Sequence, residues 1–390
     1  MRSYWGSNEE RAGARSNLFS MQLQFGQPTL FFTISLDGSS TYQIGNFAGV
    51  IPNDILSRME TDVQACSEYT RYFDLLMNII VEVVLNWDTA NGRARPEPGL
   101  FGVTKAYYAA TESQNSTGAL HAHMLIWINN MPSTVAEYYK LCGSDKFRQA
   151  MVEYVDKIAA SNVPLNLSLC PVCGVGTIIA VELQREDFQK PRPGRRRSPT
   201  ARCQDCKVEF GAGVLIEQHA SRVEKNHGLN NDQSDSVLQA IASLKPLPTP
   251  PHPNTPEAAL ISRSILFYQR HRWSHCQSCF KVTKQCFIFP KEPCETTHWG
   301  TDNRIHLKRL PGKEYVNTFI PELNIIFKCN HDIKFLGAGD GPEKAYYMMK
   351  YTTKPQQDIE NPWAIHLHAY DKSCQREEED PSDPVAIGRR

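Results

Sequence analysis

Three sets of side chains in this sequence are spaced to do chemistry. The first is His121-Ala122-His123, set in the apolar run Leu120 to Ile128. Along a strand, side chains alternate between faces, so residues two apart point the same way. Two imidazoles projecting from one rigid surface begin a divalent-cation site, and a further donor must come from a neighbouring element. Glu112 and Gln114, also two apart, precede the histidines across the turn-like stretch Ser113 to Ala119. Either carries an oxygen that a hairpin would bring to the imidazoles. Gln114 is favoured for its closeness to the turn, with Glu112 next. The second set is Tyr347, Lys350, Tyr351 and Lys354. On a helix the two tyrosines share a face, and Lys354 follows three positions on. A phenol with a pKa of about 10 is a weak nucleophile. A neighbouring ammonium and a metal-bound phosphate would favour the phenolate. A helix that packs tyrosines into a core has the same spacing. The third set is two Cys-x-x-Cys knuckles, Cys170/Cys173 and Cys203/Cys206. Four thiolates match a tetrahedral structural zinc site, and Gly174 and Gly176 permit a tight turn around it. The spacer between the knuckles carries Arg195-Arg196-Arg197. Zinc would then fix the base of a basic loop suited to phosphate; a solvated loop has the same composition.

The elements that must position these groups can be read coarsely. Residues 29–35 are rich in aromatic and β-favouring types between Pro28 and Asp37-Gly38, which marks a buried strand. Residues 52–86 place apolar side chains at helical steps in their later part. Residues 102–112 and 120–128 read as two strands of an antiparallel hairpin. Residues 133–160 read as helical, 315–337 as strand-rich, and 343–354 as a helix stopped by Pro355. Residues 1–20 read as an irregular polar connector. Six prolines between Pro246 and Pro256 mark a stiff exposed linker. The expected division is a connector at 1–20, a first core segment at 21–165, a zinc-ribbon-like insert at 166–212 and a helical and proline-rich segment at 213–259. A second Cys/His module at 260–300, a second core segment at 301–356 and a tail at 357–390 complete it.

The 390 residues suffice for two or three modest domains. Lys plus Arg and Asp plus Glu both number 42, giving a formal net charge of zero, so no overall basic field marks a nucleic-acid binder. Charge is instead clustered: Lys190 to Arg197 is basic, and Glu377 to Asp380 acidic. The N-terminus has no signal-like apolar segment. The longest apolar stretch, residues 75–87, is interrupted by Asn78, Glu82 and Asn86, which excludes a membrane span. An intracellular protein is expected, and its twelve cysteines then point to metal rather than disulfides.

Several of these motifs, in this order, resemble the replication-initiator endonuclease domain of Helitron transposases, a group of HUH nucleases. Gln27 to Ser35 is similar to that family's first strand motif. Glu112-Ser-Gln-Asn-Ser-Thr-Gly-Ala-Leu-His-Ala-His-Met-Leu-Ile-Trp127 is similar to its metal motif, although the family writes a charged residue and Arg-Gly in a turn one residue shorter. Tyr346 to Lys354 is similar to its paired-tyrosine motif. The resemblance implies an α+β fold: a central antiparallel sheet as HUH-nuclease core, flanked by helices, with inserted zinc modules. It implies that His121 and His123 bind catalytic Mg²⁺ or Mn²⁺ and that Tyr347 and Tyr351 are nucleophiles. The reaction would nick and rejoin single-stranded DNA at transposon ends through a 5′-phosphotyrosine, in rolling-circle transposition in the nucleus. The family also carries a His/Cys cluster before a Phe-Pro pair, which stands here as Phe289-Pro290. That implies a second zinc held by His275, Cys279 and Cys286, with His271 or Cys276 as fourth ligand and Cys294 and His298 in reserve. Full-length members add a helicase domain. No phosphate-binding Gly-x-x-x-x-Gly-Lys-Ser/Thr loop occurs here, so another chain would supply unwinding. The rival readings are a catalytically inactive or domesticated zinc-containing DNA-binding protein and a zinc-dependent interaction scaffold. Tyr107, Tyr108, Trp127 and Trp273 are candidates for stacking on bases or for core packing.

Overall fold

The computed structural model describes residues 8–36, 63–113, 120–182, 199–228, 240–241, 244–245, 247, 249–271, 289–337 and 340–353. Its fold is mixed α/β with antiparallel sheets. The first elements are α1 (Asn8–Phe25), β1 (Leu30–Ser35), α2 (Val63–Ile79) running into a π turn (Ile80–Val84), β2 (Trp87–Asp88), β3 (Arg93–Ala94), β4 (Thr104–Ser113), β5 (Leu120–Ile128) and α3 (Val135–Cys142). Next come α4 (Asp145–Ile158), β6 (Ile178–Ala180), β7 (Ala201–Cys203), β8 (Glu209–Phe210), α5 (Val214–Asn226) and α6 (Pro256–Gln269). The last are β9 (His298–Trp299), β10 (Ile305–His306), α7 (Pro321–Phe327), β11 (Asn330–Phe335) and α8 (Asp340–Thr353). The chain divides into two compact units: Met1–Gly143 with Lys334–Arg390, and Ser144–Ile333. The second is thus inserted in sequence between the two parts of the first. Among the described residues, no helix is long and apolar enough to cross a membrane.

In the first unit the sheet order is β11-β1-β5-β4, and the chain enters this unit along β11. The strand β5 is central, antiparallel to both β1 and β4. Its composition explains the position: the stretch from Ala122 to Ile128 is buried throughout, so apolar material is needed on both faces. One face presents Leu30, Phe32, Ile34, Ala122, Met124 and Ile126, all fully buried. The other packs Phe31, Ala106, Leu125 and Trp127 with Leu18 of α1 and Ala345 and Met348 of α8.

Four sequence expectations need correction. Residues 8–20 are not part of an irregular connector, because α1 runs from Asn8 to Phe25. Its polar composition hides three apolar contacts at three- and four-residue steps, Leu18, Met21 and Phe25, which join the sheet's second core. Residues 133–160 form two helices rather than one. Gly143 ends α3, and the Ser144 side chain accepts from the Phe147 N–H to start α4. Residues 315–337 are not strand-rich: Pro321 opens the helix α7, leaving β11 as the strand. The helix expected to reach Asn86 ends at Ile79, and the π turn follows, closed by the Leu85 N–H on the Ile80 carbonyl at 2.9 Å. Residues 249–255 of the proline-rich stretch contain neither helix nor strand.

The second unit has its own core, in which Leu215, Ile216 and Ala220 of α5 meet Ala258, Ala259, Ile265 and Leu266 of α6. Cys170, Cys203 and Phe210, from the three-stranded ribbon β6-β7-β8 and its approach, join the same core.

Candidate metal centre and active site

Strand pairing decides which side chains meet. In β4–β5 the residue opposite His121 is Glu112, and the residue opposite His123 is Ala110. Cross-strand partners share a face, so Glu112, His121 and His123 converge, and the small Ala110 leaves room above His123. The donor atoms of all three lie within 4.8 Å of one another. Glu112 Oε1 stands 3.3 Å from His123 Nε2, and the two imidazoles meet edge to face with centroids 4.3 Å apart. His123 is 4% exposed. Burial, and then the neighbouring His123, push the His121 pKa down to about 3, so this imidazole is neutral and keeps a lone pair. Its Nδ1 is buried with no hydrogen-bond partner among the described residues. Such an orphan is costly in a folded interior, and a cation would relieve it. One carboxylate and two imidazoles suit a hard or borderline divalent ion. Gln114, favoured from sequence as the oxygen donor, lies outside the described residues.

The helix α8 brings a phenol to this trio. The Tyr347 ring lies 5.5 Å from that of His123, at 86°, and 5.9 Å from Phe31, also edge-on. Phe31 stacks on His123 at 5.7 Å and 17°. It thereby frames both groups. Lys344 Nζ sits 5.4 Å from the Tyr347 ring centroid and 5.6 Å from that of Phe31, within cation–π range. Sequence reading passed over Lys344, although its place three residues before Tyr347 on the helix was a usable signal. Tyr351 and Lys350 belong to α8, but their side chains, and the whole of Lys354, lie outside the described residues.

The two knuckles also converge. Cys170 Sγ is 3.7 Å from Cys206 Sγ, and Cys173 Sγ is 3.6 Å from Cys203 Sγ. All four sulfurs lie within 4.8 Å of one another. A tetrahedron with Zn–S bonds of ~2.3 Å has edges of about 3.8 Å. The Val172 and Gly176 N–H groups point at Cys170 and Cys173 Sγ. Amide donation from Val175 and Gly176 lowers the Cys173 thiol to about 6. The Val208 amide lowers Cys206 too, but desolvation and the other three thiols outweigh it and push Cys206 up to about 12. Four sulfurs this close resist full ionisation until a cation offsets the charge. Gly176 is required by space: a Cβ there would lie 2.2 Å from Cys203 Sγ. This group could hold a metal such as zinc.

Of the residues expected to form a second zinc site, His275, Cys279, Cys286 and Cys276 lie outside the described residues, as do Arg195, Arg196, Arg197 and Trp273. His271 is described, its ring stacked on Phe289 at 4.6 Å and 9°. Of the aromatic candidates, Trp127 is 1% exposed and donates from Nε1 to the Gly26 carbonyl at 2.8 Å, so it is core. Tyr108 donates to the Ala14 carbonyl at 3.2 Å, and Tyr107 meets Trp87 edge to face at 5.4 Å.

With this geometry in hand, comparison with known proteins gives one family. Residues 1–126 match the family described as the Helitron helicase-like domain at N-terminus; the match includes β1, β4 and the His121/His123 pair. No curated protein and no solved structure matches the chain. The family is consistent with an enzyme class acting on nucleic acid. The first 126 residues are thus similar to that Helitron family's N-terminal domain.

Proposed function

We propose that this chain is an HUH-type endonuclease that nicks and rejoins single-stranded DNA, in rolling-circle transposition in the nucleus. The observation that carries the reading is the meeting of Glu112, His121, His123 and Tyr347 around one point of the sheet. His121, His123 and Glu112 would hold Mg²⁺ or Mn²⁺, which when bound supplies charge neutralisation at a scissile phosphate. Tyr347 supplies the nucleophile: its phenolic oxygen bonds to phosphorus, the 3′ oxygen leaves as a hydroxyl, and the 5′ phosphate stays on the tyrosine. The ester conserves the bond, so a 3′ hydroxyl can reverse the step and rejoin strands without ATP. The Lys344 ammonium favours the phenolate by charge. Tyr351, one helical turn on, would take a second strand, with Lys350 and Lys354 alongside. Zinc on Cys170, Cys173, Cys203 and Cys206 would fix the ribbon, and Arg195 to Arg197 would contact phosphate.

The test is a denaturant-stable adduct between the protein and labelled single-stranded oligonucleotides in Mn²⁺. The wild type should form it, His121→Ala should abolish it, and Tyr347→Phe and Tyr351→Phe should each weaken it. A wild type that forms no adduct across varied sequences, yet binds the DNA, points to the catalytically inactive DNA-binding reading.

A further inference from the structure

We propose that Tyr69 is a positioning residue of the metal centre in the first unit. Its hydroxyl, set between the end of β1 and the start of β5, holds His121 against Glu112. This role rests on the reading of Glu112, His121 and His123 as a cation site. It adds to that site a side chain from α2, an element that carries none of the ligands.

The spacing of α2 explains how the phenol arrives. Tyr69, Phe73, Leu76 and Ile80 follow one another at steps of four, three and four residues, so they share one helix face. Phe73, Leu76 and Ile80 are buried, and Tyr69 continues their stripe toward the start of the helix. The ring is thus carried on a packed face.

The strands β1 and β5 pair antiparallel with Ser35 opposite His121, so Leu36 and Leu120 are the next residues along the two strands. Here the phenol takes the place of a rung. The Leu120 N–H donates to Tyr69 Oη at 2.7 Å, and Tyr69 Oη donates to the Leu36 carbonyl at 2.9 Å. A phenol has one O–H to give and lone pairs to receive, so a single oxygen bridges both strands. Leu36 is fully buried, and its carbonyl therefore depends on a donor from the protein.

Leu120 adjoins His121, and Glu112 stands opposite His121 on β4. The backbone that carries this imidazole is held on one side by β4 and at its start by the phenol. Without the hydroxyl, the Leu36 carbonyl and the Leu120 N–H either close on each other or part. Either shift moves His121 relative to Glu112. His123 lies two residues further into the sheet, between Thr33 and Ala110, where strand pairing on both sides fixes it.

Tyr69→Phe removes the oxygen and keeps the packed ring. The test compares it with the wild type, as full-length protein, by two readouts. One is the rate at which diethylpyrocarbonate acylates each histidine without added Mn²⁺, mapped by mass spectrometry. The other is Mn²⁺ affinity by electron spin resonance. His121 should react several-fold faster in Tyr69→Phe, while His123 changes little. Mn²⁺ affinity should fall by about 10–100-fold, as when a partner that orients a ligand is lost. An unchanged His121 rate overturns the proposal. So does an equal rise at His123, since the hydroxyl would then serve the stability of the whole sheet. Unchanged Mn²⁺ affinity in Tyr69→Phe overturns it as well. A wild type that takes up no Mn²⁺ instead overturns the reading of the trio as a cation site, and the His121 rate alone then decides the role of Tyr69.

Discussion

The phenol ring of Tyr347 meets the imidazole of His123 edge-on, with centroids 5.5 Å apart at 86°. The contact joins a side chain on α8 to one on the central strand β5, and Phe31 on β1 touches both rings. A phenol in this position borders the donor trio directly, and small changes at the trio or the helix should register in its chemistry.

The first consequence concerns the cation. Glu112 is the described oxygen donor beside the two imidazoles. Glu112→Ala should weaken Mn²⁺ binding by more than the ~10–100-fold typical of losing an outer-sphere partner. His121→Ala should abolish it, as read by calorimetry or Mn²⁺ resonance. Unchanged affinity in Glu112→Ala would assign the oxygen donor elsewhere.

Lys344 offers a test of how the phenol is activated. Lys344→Met should lower the rate of adduct formation and move its pH profile alkaline, because the phenolate loses a nearby positive charge. Lys344→Arg should restore much of the profile. A rate loss with no change in the profile would mean that Lys344 serves packing alone.

For the four-thiol group, a strong chelator should release about one equivalent of metal and destabilise the second unit, since Cys170 and Cys203 also belong to its core. Cys173→Ser should do the same. Gly176→Ala should lose the metal as well, because its methyl would collide with Cys203 Sγ. Metal content after gel filtration is the readout, and full retention in Gly176→Ala would contradict the geometry.

A pH effect follows from His331, which is fully buried. Burial lowers its pKa to about 4. The Ile320 N–H donates to its Nε2 at 2.9 Å, which leaves Nδ1–H for the Cys329 carbonyl at 3.2 Å, so the native ring is neutral. The unfolded chain titrates near 6.5 and therefore takes up the proton first as pH falls. The stabilisation is complete above the unfolded value and is lost as pH falls from there through the folded value. It amounts to about 3 kcal/mol for this fully buried ring. Urea unfolding at neutral and mildly acidic pH should show the loss, and His331→Gln should flatten that part of the pH dependence.

The fully buried Leu18 tests whether α1 belongs to the fold. Leu18→Ala should cost about 2–5 kcal/mol, whereas a change at the exposed Leu23 should cost little. Equal, small effects would detach α1 from the core.

What could be read without a structure was whatever depends on local periodicity. The alternation of β5 put His121 and His123 on one face, and the two Cys-x-x-Cys knuckles with their glycines defined a four-sulfur cluster that folds as the spacing implies. The four-residue step of Tyr347 and Tyr351 likewise marked α8. Other features needed distant contacts. Helix α1 is weakly amphipathic by sequence, and three apolar side chains meeting a sheet decide it. Pro321 and Gly143 are plain punctuation, yet the strand-like and helical runs around them masked it. Which residue of β4 stands opposite His121 is a matter of hairpin register, and the pairing puts Glu112 there. The apposition of Tyr347 with His123 belongs to tertiary structure alone. It brings together groups whose distance along the chain says nothing of their distance in space, and only the packing of helix on sheet determines it.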